Sequence, residues 1–75
     1  MKEAGRRWEE LHLKWVIANQ EARRMELKNV LHFKSCVEGK GPAPSADNLE
    51  LAERLRRVAN EAQADCDEFV RRTFR

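Results

Sequence analysis

Residues 38–46 read EGKGPAPSA, and this stretch decides the fold because it holds both prolines and two of the three glycines of the chain. Gly39 stands where a helix commonly ends on a left-handed residue, and Pro42 follows it to prevent helical continuation. We therefore predict a linker over residues 39–45 that separates two helices.

The second helix has two candidate start signals. Asp47, with Glu50 three residues later, has the spacing of a capping box, in which the two side chains satisfy free amides of the first helical turn. Ser45 with Asn48 repeats this spacing with weaker residue types. The stronger signal is the pair Asp47 and Glu50, and the second helix is expected to begin at about residue 46.

The sequence on both sides of the linker is rich in Ala, Leu, Glu, Arg and Lys and has no alternating strand pattern. Because these residues are strong helix formers, we predict an all-α fold. Helix 1 is expected over about residues 2–38 and helix 2 over about residues 46–74. With 75 residues, the chain has room for a single helical-hairpin domain, residues 1–75.

Each helix carries a seam of mostly apolar residues at coiled-coil spacing. Alternating steps of four and three residues lead from Ala4 to Cys36, and the same steps lead from Asn48 to Thr73. If the chain folds back at the linker as an antiparallel hairpin, seam residues whose numbers sum to 84 become neighbours. This register leaves Trp8 without a partner on helix 2, and it pairs Leu11 with Thr73, Trp15 with Phe69, Ala18 with Cys66, Ala22 with Ala62, Met25 with Ala59, and Asn29 with Leu55.

Alanines line the middle of this seam, so the hairpin alone buries little apolar surface. At about 25 cal/mol per Å², such a seam gives little stabilisation against the entropy of ordering two long helices. Because helix 1 carries further apolar residues outside its seam, we expect a symmetric dimer, packed as a four-helix bundle with helix 1 at the interface. A different protein covering the same surface is the alternative. The expected dimer interface consists of Leu13, Ile17, Leu27, Val30 and Leu31.

The sequence has no residue pattern that indicates catalysis or a bound cofactor. Ser35 and Cys36 lie near His32, but all three are on one helix, without a predicted cleft or oxyanion donors. His32 and Cys36 have the i,i+4 spacing of two zinc ligands, and a single such pair is weak support for a metal site. Cys66 lies far along the hairpin from Cys36, which excludes a disulfide between them. We expect a non-enzymatic protein with no metal and no cofactor.

The charge and hydropathy of the chain exclude several classes of partner. The formal net charge is +2, from 15 Lys and Arg against 13 Asp and Glu, which is too weak a bias to indicate nucleic acid. No apolar run approaches the roughly 20 residues that a membrane-spanning helix needs. The first ten residues, MKEAGRRWEE, lack the apolar core of a signal peptide. A cytoplasmic protein without membrane contact is therefore expected.

Basic residues concentrate in the middle of the hairpin and at its open end, where both termini lie. Segregated charge of this kind favours recognition of a charged protein surface. The open end also holds exposed aromatic candidates, and Trp and Arg dominate the binding energy of many interfaces. The partner-binding candidates are Arg24 and Arg57 in the middle, and Arg6, Arg7, Trp8, Arg71, Arg72, Phe74 and Arg75 at the open end.

The chain length, the alanine-rich seam and the expected dimer of hairpins resemble two groups of proteins. One is the plasmid repressor of primer, whose hairpin dimer binds paired RNA loops. The other comprises small phage-encoded helical hairpins that bind and inhibit host proteins, among them quorum-sensing regulators and the pilus assembly ATPase.

The near-neutral charge and the surplus apolar surface on helix 1 favour the second resemblance. It implies a homodimer that acts as an inhibitor or anti-activator of a host regulatory or motor protein, for example a transcriptional regulator. An RNA- or DNA-binding repressor of the repressor-of-primer type and a structural assembly subunit are the alternatives.

Overall fold

The computed structural model describes residues 2–74, which form two helices joined by a short linker. α1 spans Lys2–Val37 and α2 spans Ala46–Thr73, and the two pack along each other as a hairpin. No strand occurs between residues 2 and 74. The predicted all-α hairpin is confirmed, and each helix ends one residue earlier than expected. Arg75, a predicted member of the basic open end, lies outside the described residues.

α1 ends in a Schellman motif at Gly39. This glycine has a φ of 74°, in the left-handed region where a residue with a Cβ atom is strained. Its N–H donates to the Cys36 carbonyl at 3.0 Å, and the Lys40 N–H donates to the Ser35 carbonyl at 2.8 Å. Because these two bonds satisfy carbonyls of the last turn, the helix stops here. The helix end predicted at Gly39 is confirmed.

Ser45, rather than Asp47, caps the N-terminus of α2. The Ser45 backbone is extended, with φ −69° and ψ 157°, and its Oγ accepts from the Asn48 N–H at 3.1 Å. The prediction that favoured Asp47 with Glu50 is wrong, because a cap must precede the first helical residue and Asp47 already lies in the first turn. There its negative charge still favours the positive end of the helix dipole.

The contact between the helices buries few side chains, and most of them are small. Ala22 and Ala59 are fully buried, and Ala52 is nearly so. Leu11, at 7% exposure, is the one large apolar side chain that is buried within residues 2–74. Alanine lets two helix backbones approach closely but contributes little apolar area. The hairpin therefore has a thin core.

The register of the hairpin differs from the predicted one. Arg56 donates hydrogen bonds to Glu26 and to Asn19, and the Asn29 side chain donates to the Asn48 carbonyl. The residue numbers of these three pairs sum to 82, 75 and 77, and all are below the predicted 84. These sums lie 2, 9 and 7 below the predicted value, so the predicted pairing is wrong by six residues on average, or nearly two helical turns.

The linker explains the shift in register. The predicted register, with its sum of 84, places the end of α1 level with the start of α2, whereas the described linker contains a buried proline, Pro44. The average sum of 78 places Ala46 level with His32, five residues before the end of α1. The chain therefore turns back beside α1 after Gly39, and α2 begins about one and a half turns before the level where α1 ends. The end of α1 consequently extends past α2, and Val37 is 88% exposed.

The hairpin is far from spherical. Its Cα atoms extend over 57 × 17 × 15 Å, with a radius of gyration of 16.9 Å. A compact chain of this length has a radius of gyration of about 11 Å. A rod that is only two helices thick leaves at least half of each helix surface uncovered.

Candidate protein interface

The residues predicted at the dimer interface form an exposed apolar stripe on α1, which Gln20 and Arg24 interrupt in the middle. All five are between 52% and 60% exposed: Leu13, Ile17, Leu27, Val30 and Leu31. At about 100° per residue, four of them lie on the side of α1 that faces away from α2. Val30 lies at the edge of the stripe, where it borders a hollow with Leu49 and Ala52 of α2. The hairpin leaves more than half of each of these residues exposed.

The hairpin exposes more surface than a compact protein of its mass. Its accessible surface is 6191 Å², whereas a compact monomer of 8.8 kDa exposes about 4,800 Å². The excess is about 1,400 Å², which is larger than the roughly 800 Å² that each partner contributes to a standard protein interface. The exposed surface is therefore large enough for a stable protein contact.

One arginine ties the two helices together in the middle of the hairpin. Arg56 Nε and Nη2 donate to Glu26 Oε2 and Oε1 at 2.9 and 2.7 Å, and its Nη1 donates to Asn19 Oδ1 at 2.9 Å. The hydrogen bonds from Arg56 hold the pKa of the Glu26 carboxyl below its ordinary value, and those same bonds raise the pKa of the guanidinium. The positive charge of Arg56 is therefore compensated within the hairpin.

The two mid-hairpin candidates, Arg24 and Arg57, do not share a surface. Arg24 borders a groove whose opposite wall consists of Leu51 and Leu55. Arg57 lies on α2, where it borders a different hollow together with Glu53. The structure therefore does not bring these two residues into a single basic patch.

Asn29 is the one polar residue that is buried between the helices within residues 2–74. It is 5% exposed, and its Nδ2 donates to the Asn48 carbonyl at 3.2 Å. Its Oδ1 is buried and has no hydrogen-bond partner in the described structure. A buried acceptor without a donor costs free energy, so Asn29 fixes the alignment of the helices at some cost in stability.

The open end of the hairpin carries an aromatic row along α1. The Trp8 ring stacks on His12 with ring centroids 4.8 Å apart, and His12 meets Trp15 at 5.7 Å. Trp8 also borders a hollow with Cys66 and Val70 of α2. The prediction that Trp8 lacks neighbours on α2 is wrong, and the shifted register is the reason. Its ring is still 37% exposed.

Several basic residues at the open end are paired with carboxylates on their own helix. Arg7 lies 3.3 Å from Glu10, and Glu68 accepts from Arg72 at 2.8 Å and lies 3.9 Å from Arg71. These pairs are solvent-exposed and contribute little to stability. Arg6 is exposed on α1, and Phe74, which follows α2, is 62% exposed. The open-end candidates within residues 2–74 are thus accessible to a partner.

The described cysteine and histidine side chains form no metal-binding cluster, although His12 and Cys66 border the same hollow. Cys36 is an exposed free thiol and Cys66 is a half-buried one. Among residues 2–74, no group of three or more His, Cys, Asp or Glu side chains could hold a metal ion. Neither helix is long and apolar enough to cross a membrane.

Comparison of the chain with protein-family models, curated proteins and solved structures gives no match. The candidate surface is therefore defined by the residues alone.

The sequence interpretation did not identify the contact between Glu26 and Arg56, and one signal could have revealed it. Asn19 and Glu26 are seven residues apart, which places both on the same flank of the α1 seam, within reach of one long side chain from α2.

Proposed function

We propose that this chain is a non-enzymatic, homodimeric protein-binding module of the cytoplasm that acts as an inhibitor or anti-activator of a host regulatory or motor protein. A transcriptional regulator is one such partner. This is the role of the small phage-encoded helical hairpins that the sequence resembles. The proposed module binds no metal and no cofactor, and its activity consists of covering a surface of its partner.

The apolar stripe on α1 carries the proposal. Monomeric proteins rarely leave a contiguous apolar patch of several hundred Å² in contact with water, and such patches are typical of protein interfaces. Leu13, Leu27 and Leu31 are each more than half exposed. The excess surface of about 1,400 Å² is in keeping with a second copy covering this stripe while another surface remains for a partner.

The distribution of charge favours a protein partner over nucleic acid. Phosphate recognition needs uncompensated Lys and Arg on one face. In this hairpin Arg56 is bonded to Glu26, and Arg72 is bonded to Glu68. The remaining mid-hairpin candidates border different hollows. Mixed charges at the rim of apolar surface are instead typical of protein recognition.

Sedimentation of the wild-type protein and two variants tests the dimer. We expect a dimer at micromolar concentration, and Leu27→Glu should dissociate it because the change places a charge in a desolvated contact. Val58→Glu is the matched control, because Val58 is 53% exposed on α2, outside the stripe. A well-folded wild-type monomer at micromolar concentration would contradict the proposed homodimer.

Photo-crosslinking in the native host tests the partner class. A crosslinking amino acid is placed at Trp8, and a control is placed at Asn60, an exposed position on α2. The proposal expects that one protein is crosslinked at Trp8 and not at Asn60. The affinity of the hairpin for this purified partner should change little with salt concentration. Capture of RNA or DNA, with an affinity that falls steeply with salt, would support the nucleic-acid alternative and overturn the proposal.

A further inference from the structure

The exposed side of α1 carries a second heptad seam, separate from the one that packs on α2. Starting at Leu13, alternating steps of four and three residues meet only exposed residues. The same steps continue to charged residues in both directions along the chain. From Arg6 to Glu38, which lies one residue past the end of α1, the seam consists of Arg6, Glu10, Leu13, Ile17, Gln20, Arg24, Leu27, Leu31, Lys34 and Glu38. One further step towards the N-terminus reaches Glu3, which is also exposed. Such spacing is typical of a helix that packs lengthwise on another helix.

This second seam is a palindrome in both hydropathy and charge. When its residues are paired from the two ends towards the middle, apolar residues meet apolar residues and each acidic residue meets a basic one. The residue numbers of every pair sum to 44, so the centre of the palindrome lies at the level of Ala22. The pairs are Arg6 with Glu38, Glu10 with Lys34, Leu13 with Leu31, Ile17 with Leu27, and Gln20 with Arg24.

We infer that α1 packs against α1 of a second copy in antiparallel orientation, with the two-fold axis at the level of Ala22. This inference rests on the proposed homodimer and specifies its geometry. A two-fold axis places each seam pair at the interface twice, so Glu10 faces Lys34 of the second copy at both ends. The leucines and isoleucine form the apolar layers between these ion pairs.

A parallel pairing of the same surface is disfavoured by charge. In that orientation each residue faces its own copy, so Glu10 meets Glu10, Arg24 meets Arg24 and Lys34 meets Lys34. Like charges at a helix interface are destabilising and reject the wrong orientation. The antiparallel arrangement replaces these repulsions with attractions, except at Arg24, which faces the neutral Gln20.

The geometry of α1 determines how the four helices are arranged. The seam lies on the side of α1 opposite to α2, so the two α1 helices lie in the middle and the two α2 helices lie outside. The open ends of the two hairpins then point in opposite directions. The two Trp8 residues differ by 28 positions along the paired helices, which corresponds to about 42 Å. The dimer therefore presents two separated copies of the open end.

Reciprocal charge changes test the pairing of Glu10 with Lys34. Glu10→Lys places two positive charges together at both ends of the dimer, and Lys34→Glu places two negative charges together. We expect each single variant to raise the dimer dissociation constant about tenfold, and the double variant to restore it. A mixture of the two single variants should form heterodimers. Glu50→Lys with Arg54→Glu reverses one acidic and one basic residue at exposed positions of α2, away from the seam. This double variant is the matched control and should leave the dissociation constant unchanged.

A distance measurement provides the second test and does not depend on the size of the charge effects. A spin label is attached to the exposed native Cys36, which lies outside the seam, after Cys66→Ala. Antiparallel pairing separates the two labels by 28 positions, or about 42 Å along the helices, whereas parallel pairing places them at the same level. A stable dimer with both labels at the same level, or with no response to the charge changes, overturns this inference and leaves the proposed homodimer intact. A monomeric wild-type protein overturns both.

Discussion

The Arg56 guanidinium and the Glu26 carboxylate form a bidentate pair across the hairpin, with N–O distances of 2.9 and 2.7 Å. Fork-shaped pairing of this kind is stronger and more directional than a single ion contact. It also lies in the part of the seam where alanines provide little apolar burial. A third bond, from Arg56 to Asn19 at 2.9 Å, fixes the guanidinium from the other side. This cluster therefore aligns α2 on α1 where packing alone does so weakly.

Replacement of Arg56 by lysine tests the contribution of this geometry. Lysine keeps the positive charge but has no planar fork, so it cannot bond Glu26 twice and Asn19 once. Because the side chains of Arg56 and Glu26 are 33% and 41% exposed, we expect Arg56→Lys to lower the free energy of unfolding by about 1 kcal/mol. Urea denaturation at a fixed protein concentration measures it. Arg72→Lys is the control, because Arg72 bonds Glu68 on the exposed surface of one helix, and an equal loss in both variants would contradict this prediction.

The same pair makes the stability of the hairpin depend on pH in the acidic range. The hydrogen bonds from Arg56 hold the pKa of Glu26 below its ordinary value of 4.5. A carboxyl with a lowered pKa in the folded state stabilises the protein above the pKa of the unfolded state. This contribution is lost as the pH falls from about 4.5 through the lowered pKa. We expect Glu26→Gln to lose stability at neutral pH and to show a shallower decline over this range than the wild type. Thermal melts between neutral pH and pH 3 measure both curves, and parallel curves would exclude a role for Glu26.

The sequence predicts the two helices, but it does not predict how they are aligned. Gly39 and Pro42 are local signals, since their backbone preferences act whatever the rest of the chain does. The register depends instead on contacts made after folding: the buried Pro44 and the reach of Arg56 to Glu26. A seam of similar alanines tolerates a shift of nearly two turns, so its spacing could not select between registers. The exposed stripe on α1 could be predicted, because periodicity alone places apolar residues on its outer side.

Asn29 offers a test of the buried polar contact. Asn29→Leu keeps a similar volume and removes the buried Oδ1 that lacks a donor. The Asn48 carbonyl loses the bond from Nδ2 but remains in position to accept from the helical amide four residues later. We therefore expect the free energy of unfolding to rise by about 1 kcal/mol. Chemical denaturation measures it, and Asn29→Asp, which buries a carboxylate, should have the opposite effect. A destabilised Asn29→Leu variant would mean that the bond to Asn48 outweighs the cost of the orphaned oxygen.

The open end of the hairpin is where we expect a partner to bind. Trp8 is 37% exposed and Phe74 is 62% exposed, and Arg6 lies near Trp8 on α1. Truncation of an aromatic anchor commonly costs 2 kcal/mol or more of binding free energy, so we expect Trp8→Ala with Phe74→Ala to weaken partner binding at least about 30-fold. Helicity and sedimentation must first show an intact dimer, because Trp8 also stacks on His12.

Phe33→Ala is the matched control for this loss of binding, since Phe33 is 46% exposed and lies near the linker end of α1. Calorimetric titration of each variant with the captured partner gives the two affinities. Both ends of the hairpin expose an aromatic ring. If partner affinity falls only in the double variant Trp8→Ala with Phe74→Ala, and not in Phe33→Ala, the binding site lies at the open end. An unchanged affinity would instead place the contact in the middle of the hairpin at Arg57, and Arg57→Glu would then weaken partner binding. Arg24 cannot serve for this test, because it lies in the seam inferred between the two copies.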